Sequence, residues 1–152
     1  MWRLEMAWHR GGLGDGLFSF NLYMVCDDMN LMATSECWKF RRENPEEWKT
    51  FGWGPGGFGD WIVPDTMWGV RVTEACRCHD YDYRYAKDRS PEAKLEADQR
   101  LKQNCLIIVK AKSKNPIAKR LRIIRCHTYY CMVRIFGQGS WDEAKPIRPP
   151  VV

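Results

Sequence analysis

The stretch Glu74-Ala-Cys-Arg-Cys-His79-Asp80-Tyr-Asp-Tyr83 decides how the fold of this sequence is interpreted. It places an imidazole, a carboxylate and a phenol on one predicted helix. Residues four apart lie on the same helical face, so His79 and Tyr83 share a face. Asp80 is rotated from His79 by about 100° and is expected to point towards the residues that precede the helix.

Three helices are predicted from this stretch onwards, because each has a capping-type start. Their bounds are about 73–87, starting at Thr73; 90–113, starting at Ser90-Pro91; and 115–137, starting at Asn115-Pro116 and ending at a C-cap glycine, Gly137. Short connections make the first two helices an antiparallel hairpin. A short helix is also predicted around Asn44-Pro-Glu-Glu-Trp48.

The sequence as a whole predicts one mainly α domain over residues 1–152. An apolar content of 45% and eight Trp indicate a packed core and argue against disorder. Residues 1–50 form an N-terminal extension of uncertain structure, with candidate short strands on either side of a glycine turn at 11–16. A Gly-rich loop, Gly52-Trp-Gly-Pro-Gly-Gly57, precedes the helical hairpin.

A lone carboxylate, Asp98, lies on an apolar stripe of the second predicted helix, near Leu101 and Cys105. Burying it is costly unless it is paired or hydrogen-bonded. His79 and Tyr83 face it across the antiparallel hairpin and are its natural partners. Two interpretations are open at this point. The contact could be a buried polar pair that only satisfies Asp98, or a base oriented by a carboxylate.

Positive charge is concentrated in the last third of the chain, within a net charge of +5. No acidic residue occurs between Asp98 and Asp142, whereas ten basic residues do: Arg100, Lys102, Lys110, Lys112, Lys114, Lys119, Arg120, Arg122, Arg125 and Arg134. Such a surface favours anionic lipid or nucleic acid. A merely solvated helix surface explains it equally well.

Seven cysteines leave at least one thiol unpaired. We expect mostly free, buried thiols in a reducing compartment, because the N-terminus has no apolar signal segment and no apolar run is long enough to span a membrane. A zinc site is disfavoured, since Cys76 and Cys78 are two apart and point about 200° away from each other on a helix.

The order of these motifs resembles the phospholipase A2 superfamily. The matching pieces are Trp53-Gly-Pro-Gly56, Pro64, Glu74-Ala-Cys-x-x-His79-Asp80-x-x-Tyr83 and Ala97-Asp98. The closest pattern is the compact phospholipase domain of parvoviral minor capsid proteins, and it would make residues 51–141 a phospholipase A2-like core. The chain also resembles an uncharacterised family of phage-encoded proteins that carry a His-Asp-Tyr helix.

The resemblance implies a calcium-dependent hydrolase of phospholipid esters. It implies that His79 activates water, that Asp98 orients the imidazole and that Tyr83 hydrogen-bonds Asp98. It further implies that Ca²⁺ stabilises the oxyanion and is held by the Asp80 carboxylate and the carbonyl oxygens of Gly52, Gly54 and Gly56. The paired cysteines that staple this helix in secreted members are not reproduced by Cys76 and Cys78.

The implied partner is a phospholipid membrane surface, expected to be anionic, and nucleic acid is a further candidate through the basic third helix. The expected location is cytoplasmic or virion-associated, and no oligomeric state is indicated. The alternative function is a non-catalytic, phage-type structural or nucleic-acid-associated protein that retains the helical hairpin.

Overall fold

The computed structural model of the chain describes residues 3–4, 24–25, 30–52 and 66–143. These residues are mainly helical, which confirms the predicted fold class. The helices are α1 (Ser35–Glu43), α2 (Pro45–Thr50), α3 (Thr73–Tyr85), α4 (Pro91–Lys112), α5 (Pro116–Phe136) and α6 (Gln138–Glu143). Short strands β1 (Arg3–Leu4), β2 (Met24–Val25) and β3 (Met32–Ala33) form one antiparallel sheet, and β4 (Thr66–Met67) pairs with β5 (Val70–Arg71).

The predicted hairpin is formed by α3 and α4. His79 opposes Asp98, and further along α3 Tyr83 opposes Lys94, so the two helices run antiparallel. The helix α3 ends at Tyr85, two residues before the expected Lys87. At this end the Arg89 guanidinium satisfies two of the last carbonyl groups, donating to Tyr83 O at 2.8 Å and to Arg84 O at 3.4 Å.

The capping start expected at Thr73 is wrong. The β4–β5 hairpin turns at Trp68 and Gly69, whose φ angles of 46° and 83° suit a tight two-residue turn. This hairpin leads directly into α3, so the N-cap position falls on Val72, which is fully buried and offers no side-chain cap. Thr73 is the first helical residue instead of the cap.

The starts of α4 and α5 are confirmed. The Ser90 hydroxyl accepts from the Ala93 amide at 3.2 Å, and the Asn115 carboxamide oxygen accepts from the amides of Ile117 and Ala118 at 2.9 and 3.0 Å. In both helices a proline occupies the first turn, where its missing N–H costs nothing.

The first helices pack into the same core as the hairpin. Buried side chains from residues 31–51 and from α3 to α5 form one cluster, which includes Leu31, Trp38, Trp48, Phe51, Leu101, Ile108 and Cys126. Asn104 of α4 ties strand β3 to this core, because its carboxamide both accepts from Met32 N at 2.7 Å and donates to Met32 O at 2.8 Å. The short helix predicted at Asn44–Trp48 is present as α2.

Apart from Gly52, the predicted Gly-rich loop lies outside the described residues, as does the glycine turn at 11–16. Among the helices that are described, none combines the length and the apolar character needed to cross a membrane. Six described cysteines are free thiols, and all are buried except Cys131.

Candidate active site

The carboxylate of Asp98 is the centre of the site and is completely buried. Its Oδ1 accepts hydrogen bonds from His79 Nε2 at 2.9 Å and from the Tyr83 hydroxyl at 2.6 Å. Its Oδ2 accepts from Lys94 Nζ at 3.0 Å and from Arg134 Nη1 at 2.9 Å. Three helices therefore converge on one carboxylate, and its hydrogen-bonding capacity is fully used.

These contacts keep Asp98 ionised. Burial by itself raises the pKa of the Asp98 carboxyl, but the hydrogen bonds from His79 and Tyr83, the charge of His79 and the bond from Lys94 outweigh burial. The pKa of Asp98 is therefore held well below its ordinary value.

An ionised Asp98 determines the tautomer of His79. A carboxylate can only accept hydrogen bonds, so the imidazole nitrogen beside it, Nε2, must carry the hydrogen. In neutral imidazole the other nitrogen, Nδ1, then carries the lone pair. Among the described residues no side chain or amide hydrogen-bonds this Nδ1, and the ring retains 8% exposure. His79 is thus arranged to accept a proton at Nδ1.

Lys94 and Arg134 were missed by the sequence reasoning. Lys94 precedes Asp98 by one helical turn, a spacing at which opposite charges pair, so a local signal for it was present. Arg134 lies 36 residues after Asp98 on α5, and no local pattern relates the two. Lys94 is only 3% exposed, so its ammonium depends on Asp98 for its charge partner.

Tyr83 is held in place by Trp141 of α6 and by the ring of His79. Its ring packs edge-on against Trp141 at 5.0 Å and lies 4.1 Å from the His79 ring. Burial, together with the hydrogen bond to Asp98, raises the pKa of Tyr83 well above its ordinary value. The phenol therefore stays protonated and donates to Asp98.

Gly137 is the C-cap of α5, as predicted, and its φ of −75° is ordinary right-handed backbone. The reason for glycine here is space. A Cβ would lie 2.5 Å from the Val133 carbonyl oxygen and 3.0 Å from the Tyr83 hydroxyl. The site needs glycine at 137 so that α5 and α6 can approach Tyr83.

We expect Gly137→Ala to lower the free energy of unfolding by about 1–3 kcal/mol, because the added methyl group would overlap the Val133 carbonyl oxygen and crowd the Tyr83 hydroxyl. Gly139→Ala is the matched control, since a Cβ at Gly139 would meet nothing within 4 Å, and it should leave the stability unchanged or slightly increased. Urea unfolding of both variants measures the difference. Equal stabilities would contradict the close approach at Gly137.

Asp80 points to the segment that precedes the hairpin, as its position on α3 predicts. Its Oδ2 accepts from the Gly52 amide at 2.6 Å. Gly52 has a φ of +84°, a conformation that favours glycine, and a Cβ there would lie 3.2 Å from Arg77 Cγ. The group that meets Asp80 is thus the amide of Gly52, whereas the resemblance assigns a role to its carbonyl.

The carboxylate of Asp80 suits a bound cation. Burial raises the pKa of Asp80, and the charge of His79, the Gly52 amide and the charge of Arg84 offset this only in part. No Lys or Arg of the described ranges forms an ion pair with it. A half-buried carboxylate with one amide partner matches one ligand of a Ca²⁺ shell. Gly54 and Gly56, the other implied ligands, lie outside the described residues.

No cluster of three or more His, Cys, Asp or Glu suited to a metal ion occurs in the part of the chain that the structure describes. The cysteines on α3 diverge, as expected. Cys76 Sγ contacts the Tyr129 hydroxyl at 3.2 Å, whereas Cys78 lies beside Cys37 of α1, whose pKa it raises. The two thiols therefore face different helices, α5 and α1.

Part of the basic segment turns inward. Arg100 donates to Asp82 at 2.8 Å, Arg134 donates to Asp98, and Arg122 donates to the carbonyl groups of Met67 and Trp68. Burial raises the pKa of Asp82 to about 6 despite Arg100. The solvent-facing positive charge of the segment is accordingly smaller than the sequence count indicates.

Comparisons with protein-family models, with curated proteins and with solved structures find no match for this chain. The interpretation of the site therefore rests on its own geometry and chemistry.

Proposed function

We propose that this chain is a calcium-dependent hydrolase of phospholipid esters. The observation that carries the proposal is the orientation of His79, whose Nε2 is engaged by Asp98 while Nδ1 is left without a partner among the described residues. A structural polar pair needs only the first contact. A general base needs both the engaged nitrogen and the available one.

In the proposed reaction, His79 Nδ1 takes a proton from water as the water oxygen forms a bond to the ester carbonyl carbon. Asp98 stabilises the resulting imidazolium and keeps the ring oriented. The proton passes from His79 to the departing alcohol oxygen when the ester bond breaks, so the residue returns to its neutral form. Tyr83 contributes by holding Asp98 at 2.6 Å.

Asp80 would hold the calcium ion together with the backbone oxygens of Gly52, Gly54 and Gly56 that the resemblance implies. When bound, Ca²⁺ supplies electrostatic stabilisation of the negative charge that develops on the carbonyl oxygen. Asp80 follows His79 directly on α3, so the ligand and the base are borne by the same rigid helix. The substrate surface that fits the exposed basic residues is an anionic phospholipid membrane.

Fatty acid release from mixed phospholipid vesicles tests the proposal. We expect release with Ca²⁺ and its loss when a chelator is added. Asp80→Asn should weaken calcium binding at least about tenfold, measured by titration calorimetry, because the ligand charge is lost. Asp142→Asn changes an exposed carboxylate on α6 and is expected to bind calcium normally. Release that is unaffected by chelator would reject the calcium-dependent reaction.

The second candidate is a non-catalytic structural or nucleic-acid-associated protein of phage type. The four hydrogen bonds on Asp98 favour it, because they complete a buried ionic network that stabilises the fold without any reaction. The exposed basic residues of α5 would then contact phosphate groups. Salt-sensitive DNA binding in the absence of fatty acid release would support this candidate.

A further inference from the structure

The helix α5 has apolar side chains on two opposite faces. Its inner face packs into the core through Cys126 and Val133. Its outer face carries most of the large hydrophobic side chains that the described part of the chain exposes: Ile117, Leu121, Ile124, Ile135 and Phe136. Single exposed apolar residues need no explanation, but a set gathered on one helix indicates an interaction surface.

The outer face follows a heptad spacing. The exposed residues Ile117, Leu121, Ile124, Thr128, Cys131 and Ile135 are separated by alternating steps of four and three, and we call this set the outer seam. Residues with this spacing lie along one narrow line on the helix surface. Two helices that pack side by side contact each other along such a line. Thr128 does not interrupt it with an unsatisfied group, because its hydroxyl donates to Ile124 O at 3.3 Å.

The width of the outer seam favours a helix over a membrane as its occupant. A helix that lies on a membrane presents a broad apolar face. Beside the seam, Arg120 and His127 are exposed on one side. On the other side Met132 and Arg125 are half-buried, and Arg125 is stacked on Trp68 at 5.7 Å. An apolar line of this width matches the contact line of one partner helix.

The charges beside the outer seam define the partner further. The helix α5 contains no acidic residue, and Arg120 and Arg125 flank the seam on its two sides. A second copy of this chain would bring arginine against arginine in either orientation, which opposes self-association. A partner helix with Glu or Asp beside its apolar positions would pair with both arginines.

We infer that the outer seam of α5 docks an acidic amphipathic helix of another protein. The inference stands independently of the proposed hydrolysis, since the seam faces away from the core contacts of α5 and includes none of the residues around Asp98. Apolar contact along the seam supplies affinity, and the flanking arginines select the acidic partner.

A designed peptide provides the probe. It has about 21 residues, Leu and Ile at heptad spacing and Glu at the flanking positions, and its binding to the full chain is followed by fluorescence anisotropy. We expect saturable binding that weakens as salt is added. Ile124→Asp should abolish binding. The double variant Arg120→Glu, Arg125→Glu should weaken it at least about tenfold and should restore binding to a peptide with Lys flanks.

Lys110→Glu reverses an exposed charge on α4 and is the matched control, which should bind the Glu peptide normally. Circular dichroism of each variant verifies that the fold is kept. The inference is overturned if the Glu peptide does not bind, or if the Lys peptide binds the unaltered chain equally well. It is also overturned if Ile124→Asp instead abolishes a concentration-dependent dimer or binding to vesicles of anionic lipid, since the seam would then serve that occupant.

Discussion

Replacing His79 by Gln is expected to lower fatty acid release from phospholipid vesicles by roughly 10²–10⁴-fold. The glutamine amide can still donate to Asp98 Oδ1, so the polar contact within the core is largely retained. The lone pair at Nδ1 is lost, and with it the group that accepts the proton from water. The measurement is the initial rate of release with Ca²⁺ present at saturating vesicle concentration.

His127→Gln is the matched control for this substitution, because His127 is an exposed histidine on α5 outside the contacts of Asp98. It should leave the rate unchanged. The comparison also separates the two interpretations of the His79–Asp98 contact. If His79 is a base, His79→Gln loses fatty acid release with little change in stability. If the contact is purely structural, neither chain releases fatty acid and the retained contact leaves the stability little changed. Full activity in His79→Gln would exclude it as the base.

The second substitution with a large expected effect lowers the stability of the folded chain. Asp98→Asn is expected to reduce the free energy of unfolding by about 3–5 kcal/mol, because it leaves a buried ammonium without its counter-charge. Lys94 is 3% exposed and cannot reach water without rearrangement, whereas Arg134 is 35% exposed and can turn outward. The loss is therefore expected to come mainly from Lys94. Urea unfolding measures it.

A second substitution tests this assignment. Adding Lys94→Met to Asp98→Asn should recover a substantial part of the stability, since the unpaired charge is removed while the apolar stem is kept. Adding Arg134→Met should recover less. Recovery by Arg134→Met and none by Lys94→Met would contradict the assignment to Lys94.

Because Asp98 is ionised in the folded chain, we expect the stability of the protein to depend on pH in the acidic range. The pKa of Asp98 is lower in the folded chain than in the unfolded chain, so the unfolded chain binds more protons as the pH falls. The contribution of Asp98 is then fully present above about pH 4 and is lost progressively below it. Asp98→Asn should remove this part of the acid dependence, and an unchanged acid slope would contradict it.

Much of the site could be predicted because three of its residues lie close together in the sequence. His79, Asp80 and Tyr83 belong to one helix, and the spacing of about 3.6 residues per turn places them on defined faces whatever the rest of the chain does. Asp98 was predictable as their partner because the short connection makes α3 and α4 neighbours. The caps at Ser90 and Asn115 followed from the same local chemistry.

Other features were decided only by packing. Thr73 failed as a cap because the β4–β5 hairpin leads directly into α3, a connection that depends on a tight turn at Trp68-Gly69. Gly137 ends α5 as predicted, but only the fold shows that a side chain there would also lie 3.0 Å from the Tyr83 hydroxyl, on a helix far earlier in the chain. The contact with Tyr83 has no signature in the residues next to Gly137 in the sequence.

The sequence by itself determined the helices, their order and the chemical groups that face one another across the hairpin, because these depend on contacts between near neighbours and on the helical period. The tertiary structure decided that Arg134 completes the Asp98 network, that the amide of Gly52 meets Asp80 and that no described segment of the chain covers the outer seam of α5. The reason is physical: each depends on how distant segments pack in three dimensions, and the choice among the possible packings is made by the whole core.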